Sequence, residues 1–555
     1  MKRILLSLFV LLTLNHAHIS AQGETTVGLL SYQMPRAYEG YTLIYPHNQP
    51  NVYLLDMCGE IVHTWTDEAN FRPGNVAYLR EDGSIVKTKR DMLVTDDAIW
   101  AGGGGETVEI RSWDNELLWS YTLINEDYRL HHDIAPMPNG NILLLSWERK
   151  TGEEAQAAGR LPELLAQTDL WSEYVFEVNP NTDEIIWEWH AWDHIVQDVD
   201  ADKPNFGVVS ENPRLINLNY DNNEGKSDWM HTNALDYNPT LDQIMLSVPT
   251  FDEIWIIDHT TTTEQAAGHN GGFTNHGGDL IYRIGNPAAY DQADAGEKIL
   301  HYQHDAHWAN KFLPASHPNS GDIVVFNNRV GEDFSTIETF TSSWEMYAGD
   351  YETFNGAFFP VAFDNTITHP TPQSLYSTGL SSAQLLPNGN VLACSGRYGY
   401  IVEMTASNDV VWEYKVPLMS GQPVEQGTIL EINNNLTFRA FRYPTDYEAF
   451  VGRDLESKGW IETNPVEDYC QRLVSTSMPD VYNFGVYPNP ATDRVQITWD
   501  TGTKINLKVT DILGRTVLTD KGVGGMMYLD VSSLESNLYF IEIEDLAVLK
   551  FVKER

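Results

Sequence analysis

Cysteine is scarce: Cys58, Cys394 and Cys470 are the only three in 555 residues, and they lie far apart. A disulfide framework is excluded; one pair is allowed, and the spacing does not choose it. Basic residues are few as well, 35 Lys and Arg against 78 Asp and Glu, for a formal net charge of −43. Such a field repels phosphate backbones and anionic lipid surfaces, and no local basic patch offsets it, so no nucleic-acid partner is expected. Long apolar runs are also missing. The eleven-residue run from Ile4 to Leu14 is too short to stay in a bilayer as a helix, and nothing later approaches about 18 uninterrupted apolar residues. Lys2 and Arg3 precede that run, and Ser20 and Ala21 follow it before Gln22. Residues 1–21 therefore read as a secretory signal peptide, and the mature chain is expected to be exported and soluble.

What is present is a folded composition, 42% hydrophobic and 11% aromatic, and a pattern that repeats. Pro136-Met-Pro-Asn-Gly-Asn-Ile-Leu-Leu-Leu145 returns as Leu385-Leu-Pro-Asn-Gly-Asn-Val-Leu-Ala-Cys394 and, more weakly, as Leu79-Arg-Glu-Asp-Gly-Ser-Ile-Val86. Each is an apolar run broken by Asn-Gly or Asp-Gly and resumed with branched residues, the mark of a hairpin. A second half-motif spans Glu106–Tyr121, Tyr174–Trp189 and Tyr400–Tyr414: an apolar-Glu-apolar core, a polar turn, two apolar residues, then Trp and an aromatic two positions on. Val52–Trp65 shares its outline. The halves give four strands per repeat, starting near residues 41, 75, 132, 231, 304 and 381, which predicts an all-β six-bladed β-propeller over residues 22–480. A four-stranded blade cannot cover its own faces, whereas a ring of blades buries them mutually, with the recurring tryptophans filling the wedges. Gly152–Gln167, rich in Glu, Ala and Leu, is read as a helix within an insertion.

Residues 481–555 differ. Val486-Tyr-Pro-Asn-Pro-Ala-Thr492, Asp511-Ile-Leu-Gly-Arg515, Leu538-Tyr-Phe-Ile541 and the terminal Lys553-Glu-Arg555 suggest a small β-sandwich. The segment resembles the C-terminal sorting domain read by the type IX secretion machinery of certain Gram-negative bacteria. The resemblance implies passage through periplasm and outer membrane, a secreted or cell-surface location, and that machinery as a partner.

Aligning the hairpins on their turns places His132 on Ser381, and the hydrophobic pattern brings His231 and His304 to the same position, with Asn75 as the equivalent in the second blade. Shared register puts three imidazoles at one height around the channel, so they should converge on one mouth. His131 and Asp133, one residue off, should point the other way along a regular strand. His131-His-Asp-Ile134, His231-Thr-Asn233, Gln303-His-Asp-Ala306 and Ser382-Ala-Gln-Leu-Leu-Pro-Asn-Gly-Asn390 are similar, in order, to the successive motifs of bacterial arylsulfate sulfotransferases. That resemblance, from about residue 40 to 415, implies a six-bladed propeller moving a sulfuryl group from an aryl sulfate donor to a phenol acceptor, both small molecules, with no nucleotide donor, cofactor or metal. It makes His304 the transiently sulfurylated histidine, His231 and Asn233 the holders of sulfuryl oxygens, and His132 the group that exchanges a proton with the phenolic oxygen. The chemistry suits these residues: a neutral imidazole is a competent nucleophile near pH 7, and positioning and charge stabilisation dominate a loose transition state.

The family's Ser-x-Arg, whose arginine binds the sulfate, is here Ser247-Val-Pro-Thr250, so Pro249 stands in the cation's place and Arg283, Arg329 and Arg397 are the candidates to supply it. A catalytically silent propeller binding aromatic or sulfated ligands at the same mouth is the alternative reading. A quinone-dependent propeller dehydrogenase shares only the tryptophan-rich repeats. His190 and His194 have the i, i+4 spacing of a helical metal pair but fall in a loop, without the glutamate of a zinc hydrolase. Gly102–Gly105 lacks the Lys-Ser/Thr of a phosphate loop and reads as a flexible connector. The sequence leaves the oligomeric state open.

Overall fold

The computed structural model describes residues 25–95, 97–294, 296–476, 484–499, 505–512, 514–522, 525–543 and 547–554; the signal-peptide segment lies outside them. The chain divides into two compact units, one formed mainly by residues up to Tyr469 and a smaller one mainly from Cys470 onward. Among the described residues no helix is long and apolar enough to cross a membrane. Cys394 is a buried free thiol.

Among the described residues the larger unit holds six antiparallel sheets of four or five strands. In chain order their inner strands are Phe71–Leu79 (blade II), Tyr128–Pro136 (III), Ala234–Asn238 (IV), His304–Trp308 (V), Ser382–Leu385 (VI) and Thr437–Pro444 (I). Each inner strand packs on the next, and Thr437–Pro444 returns to Phe71–Leu79, so the ring closes. One boundary differs from the repeat count. The segment near residue 41, Gly40–Pro46, is the second strand of blade I; its inner strand comes from the far end of the unit, with Tyr41 paired to Tyr443. Gly28–Tyr32 adds a fifth, outer strand to blade VI. The ring is thus fastened twice by strands from opposite ends of the sequence.

Local chemistry explains the blades. Gly140 and Gly389 adopt φ of 90° and 84° in the Asn-Gly turns, a conformation that costs glycine nothing. The repeated tryptophans reach the following blade: Trp119 Nε1 donates to Asp183 Oδ1, Trp187 Nε1 to Thr261 Oγ1 and Trp412 Nε1 to the Met57 carbonyl. Each such bond adds about 1 kcal/mol to the apolar burial of the ring. The expected helix over 152–167 is shorter, Gly152–Ala157, opened by a Thr151/Glu154 capping box. Gly159 at φ 100° and Pro162 end it, since neither continues an α-helix.

The smaller unit has a three-stranded sheet (Gly485–Tyr487, Arg494–Thr498, Met526–Asp530) and a four-stranded one (Thr516–Gly522, Ile505–Asp511, Leu538–Ile543, Ala547–Val552). Burial alternates along Leu538–Ile543, and Val495, Ile497, Leu507, Val509, Ile541 and Phe551 share one core, which makes the pair a β-sandwich.

Candidate active site

The inner strands of blades III and V are bulged where their histidines sit. In blade III the pairing shifts between Leu144 and Ser146 of the second strand, and in blade V between His304 and His307 of the inner strand. His132 takes φ 47°, Asp305 57°, His231 51°, Asn75 139° and Ser381 95°. Left-handed non-glycine residues cost of order 1–3 kcal/mol and persist where surroundings over-determine them. The bulge corrects the expectation that His131 and Asp133 turn away from His132's surroundings, which held only for a regular strand. His131 Nδ1 lies 2.9 Å from His132 Nδ1, and its Nε2 lies 2.9 Å from Glu173 Oε2. Asp133 meets Arg439 in the channel at 2.7 Å.

The rings of His132 and His231 are 4.6 Å apart, edge to face. His304 joins them through shared neighbours: Phe438 lies 6.1 Å from His132 and 6.3 Å from His304, and Tyr302 6.2 Å from His231 and 6.0 Å from His304. His304 Nδ1 is 2.8 Å from Asn328 Oδ1, so it carries the proton and leaves the lone pair on Nε2, where it accepts the Leu380 N–H at 3.1 Å. His231 Nδ1 is 2.5 Å from Asp228 Oδ2. Asn233 Nδ2 donates to the Gln303 carbonyl at 2.8 Å, which uses one of its two hydrogens.

The three imidazoles are tuned in different directions. Burial, with the neighbouring His231, pushes His304 down to about 3, and burial with the other histidines and Arg439 pushes His132 well below the ordinary value. Burial acts on His231 too, but the charge and hydrogen bond of Asp228 outweigh it and raise its pKa. Two rings held neutral therefore stand beside one whose protonation is favoured. His231 also lines a cavity of about 560 Å³ with Trp100, Trp171, Asp228 and Tyr302, whereas His132 and His304 are 3% exposed.

The glycine run is better built than a connector. The Gly103 carbonyl accepts the His132 N–H at 2.8 Å and Asn75 Nδ2 at 2.7 Å, and a Cβ at Gly103 would fall on the His132 ring. Asn75 and Ser381, the blade II and VI counterparts of the histidines, hold backbone: Ser381 Oγ accepts the Gly396 N–H at 3.0 Å.

Next to the histidines, the channel is crossed by Arg439. It pairs with Asp133 at 2.7 Å and Asp305 at 2.9 Å, and donates to the Asn233 carbonyl at 3.0 Å and Tyr78 Oη at 2.6 Å. Each aspartate also accepts an N–H from the following blade, Leu235 at 2.9 Å and Ala383 at 3.1 Å.

Of the three arginines weighed against Pro249, Arg283 is excluded: it is buried on Glu253, at 2.5 Å, and on the Pro213 and Leu215 carbonyls. Arg329 lies on the Tyr302 ring, 3.6 Å from its centre, and its charge reaches His231. Arg397 flanks Gly379, which also borders His304. His190 faces Glu148 and His194 faces Asp279, so the i, i+4 pair does not converge.

Sequence reading missed Glu173, Asp228, Asn328 and Arg439. Asp228 had a usable signal in its i, i+3 spacing to His231; Arg439 belongs to the closing strand, which the repeat does not announce.

These features define a propeller with three imidazoles gathered near its inner strands. The family model "Arylsulfotransferase (ASST)" matches residues 33–422, and the chain belongs to that family. Membership supports an aryl sulfotransferase activity in general terms. The secretion system C-terminal sorting domain matches residues 485–553, indicating export by type IX secretion to the cell surface or medium. No curated protein matches the chain. Among solved structures it is similar to PorZ of Porphyromonas gingivalis, an essential surface component of the type IX secretion system (10% identity, 91% of this chain, 68% of that one, TM-score 0.30). It is also similar to the Cps50 (Swd1) β-propeller domain of Myceliophteria thermophila (8% identity, 73% and 88%, TM-score 0.30).

Proposed function

We propose that the protein transfers a sulfuryl group from an aryl sulfate to a phenol through a sulfo-histidine at His304, without a nucleotide donor, and that its domains run 22–480 for the propeller and 481–555 for the sorting domain. The observation that carries the reading is the arrangement of the three rings: a neutral His304 with its tautomer fixed by Asn328, beside a His231 whose protonation Asp228 favours and a neutral His132. The His304 Nε2 pair attacks sulfur as the bond from sulfur to the aryl oxygen breaks. His231 and the spare Asn233 N–H hold sulfuryl oxygens, and the charges of Arg329 and Arg397 serve where Pro249 offers none.

Proton traffic runs through Glu173, His131 and His132. His132 Nε2–H passes its proton to the departing phenolate while the His131 Nδ1 proton moves to His132 Nδ1. The acceptor phenol then gives its proton to His132 Nε2 as its oxygen attacks sulfur, the His132 Nδ1 proton returns to His131 Nδ1, and the bond from nitrogen to sulfur breaks, restoring all three histidines.

The Leu380 N–H on His304 Nε2 favours a second reading, a propeller that binds aryl sulfates without turning them over. Incubation with p-nitrophenyl sulfate, with and without phenol, separates the two. Phenol-dependent release of p-nitrophenol supports transfer; saturable binding with no release supports the silent propeller.

A further inference from the structure

Away from the mouth, two histidines and an aspartate meet at the outer edge of blades III and IV. His194 ends the single turn Ala191–His194 that follows the outer strand Ile185–His190 of blade III. His269 and Asp279 belong to the excursion between Glu253–Asp258 and Tyr282–Ile284 in blade IV. His194 Nδ1 is 2.8 Å and His269 Nδ1 2.7 Å from the same Asp279 Oδ1. Ligand atoms of all three lie within 4.8 Å of one another.

His194 is the informative member. Its Nε2 is 2.8 Å from the Ala266 carbonyl, which has only lone pairs to offer, so Nε2 carries the ring proton. In a neutral imidazole Nδ1 then presents its own lone pair to a carboxylate oxygen. Two lone pairs at that distance repel unless a cation or a second proton lies between them. A backbone carbonyl fixing one nitrogen so that the other faces a carboxylate is the arrangement that orients a ligating histidine. The ring cannot swing away, because the Trp189 indole stacks on it at 5.7 Å with 5° between planes, and that indole donates to the Gly278 carbonyl at 2.7 Å.

We propose that His194 Nδ1, His269 Nδ1 and an Asp279 oxygen bind one Zn²⁺, with water in the fourth position, as a clamp holding the blade IV excursion to blade III. Two imidazoles and a carboxylate suit zinc. Tetrahedral zinc separates its ligand atoms by about 3.3 Å, so the trio must open by roughly half an ångström. His269, with 56% of its side chain exposed, is free to make that movement and leaves the fourth position open to water.

The test uses the full chain, stripped with a chelator and titrated with Zn²⁺ alone. One ion per chain should bind, and the melting temperature should rise. His269→Ala, at an exposed position that does not threaten folding, should weaken binding at least about tenfold and abolish the thermal shift. Asp279→Asn should act in the same direction. The proposal is overturned if the stripped chain binds no zinc, if His269→Ala binds as the parent does, or if binding is lost in His231→Ala instead, which would place the ion at the mouth.

Discussion

Blades III and V carry the same dipeptide at the same point of the inner strand, His132-Asp133 and His304-Asp305, and use its two halves differently. The aspartates do one job: both accept an N–H from the next blade and both pair with Arg439, which braces the two blades. The histidines diverge because of what stands behind each ring. An amide oxygen, Asn328 Oδ1, backs His304 and can only accept, which fixes one tautomer. A second imidazole and a carboxylate, His131 and Glu173, back His132 and can pass a proton. The left-handed residue falls on the histidine in blade III and on the aspartate in blade V, so the two rings leave the strand in different directions. Role here is set by the group behind the ring, and variants can separate the two blades on that basis.

The largest effect is expected from His304→Ala, which removes the nucleophile and should lower kcat/KM by at least about four orders of magnitude. The melting temperature should move only slightly, because the brace is untouched; activity within tenfold of the parent would end the assignment. Arg439→Met attacks the shared half instead. It leaves Asp133 and Asp305 buried without their cation and should cost about 3–5 kcal/mol of stability by denaturant titration. A loss below about 1 kcal/mol would show that the two carboxylates need no common partner.

Asn328→Leu and Glu173→Gln then distinguish the blades. Each should reduce turnover by about two orders of magnitude, the first by freeing the tautomer and the second by breaking the proton path. Glu173→Gln should hit donors with poor leaving groups harder than p-nitrophenyl sulfate, whereas Asn328→Leu should hit all donors alike. Equal leaving-group dependence in both would dissolve the distinction.

Charge state gives a smaller, directional test. His231, raised by Asp228, contributes stability that is fully present below the ordinary histidine pKa and lost as pH rises through the raised value. His132 and His304, lowered by burial, contribute stability present above the ordinary value and lost as pH falls toward their own, about 3 for His304. The active form should accordingly persist in mildly acid solution and fade on the alkaline side. Asp228→Asn should move the alkaline limb of the rate profile to lower pH; an unmoved limb would mean that His231 does not carry the charge. Smallest of all should be Pro249→Arg, with kcat/KM changed less than about threefold, because Arg329 and Arg397 already flank the histidines. A gain of ten or more would show that they do not substitute for the family's arginine.

Much of this was legible in the sequence wherever a local rule governs it. The Asn-Gly turns at Gly140 and Gly389 follow from glycine's backbone freedom, and the blade-to-blade tryptophans from a repeated offset. The shared position of His132, His231 and His304 came from register alone, and the structure brings the three together. Illegible were the features that depend on closure or on a bulge. Arg439 sits on a strand whose partner is some 400 residues earlier, Gly40–Pro46, so no repeat offset leads to it. The left-handed His132 breaks strict alternation, which hid its contact with His131. Glu173 lies on a third strand, where the pattern records burial and not what the side chain faces, and Asn328 lies in the turn just after a second strand, which the repeat does not specify.

The central claim is covalent, and a rapid-mixing experiment addresses it without any variant. The protein is mixed with excess p-nitrophenyl sulfate in the absence of phenol, and p-nitrophenolate release is followed while quenched samples are mapped by peptide mass spectrometry at neutral to alkaline pH. The account predicts a burst of about one p-nitrophenolate per chain and one added sulfuryl group on the peptide containing His304. Turnover on adding phenol with no preceding burst, or a sulfuryl group found on any other residue, would contradict it.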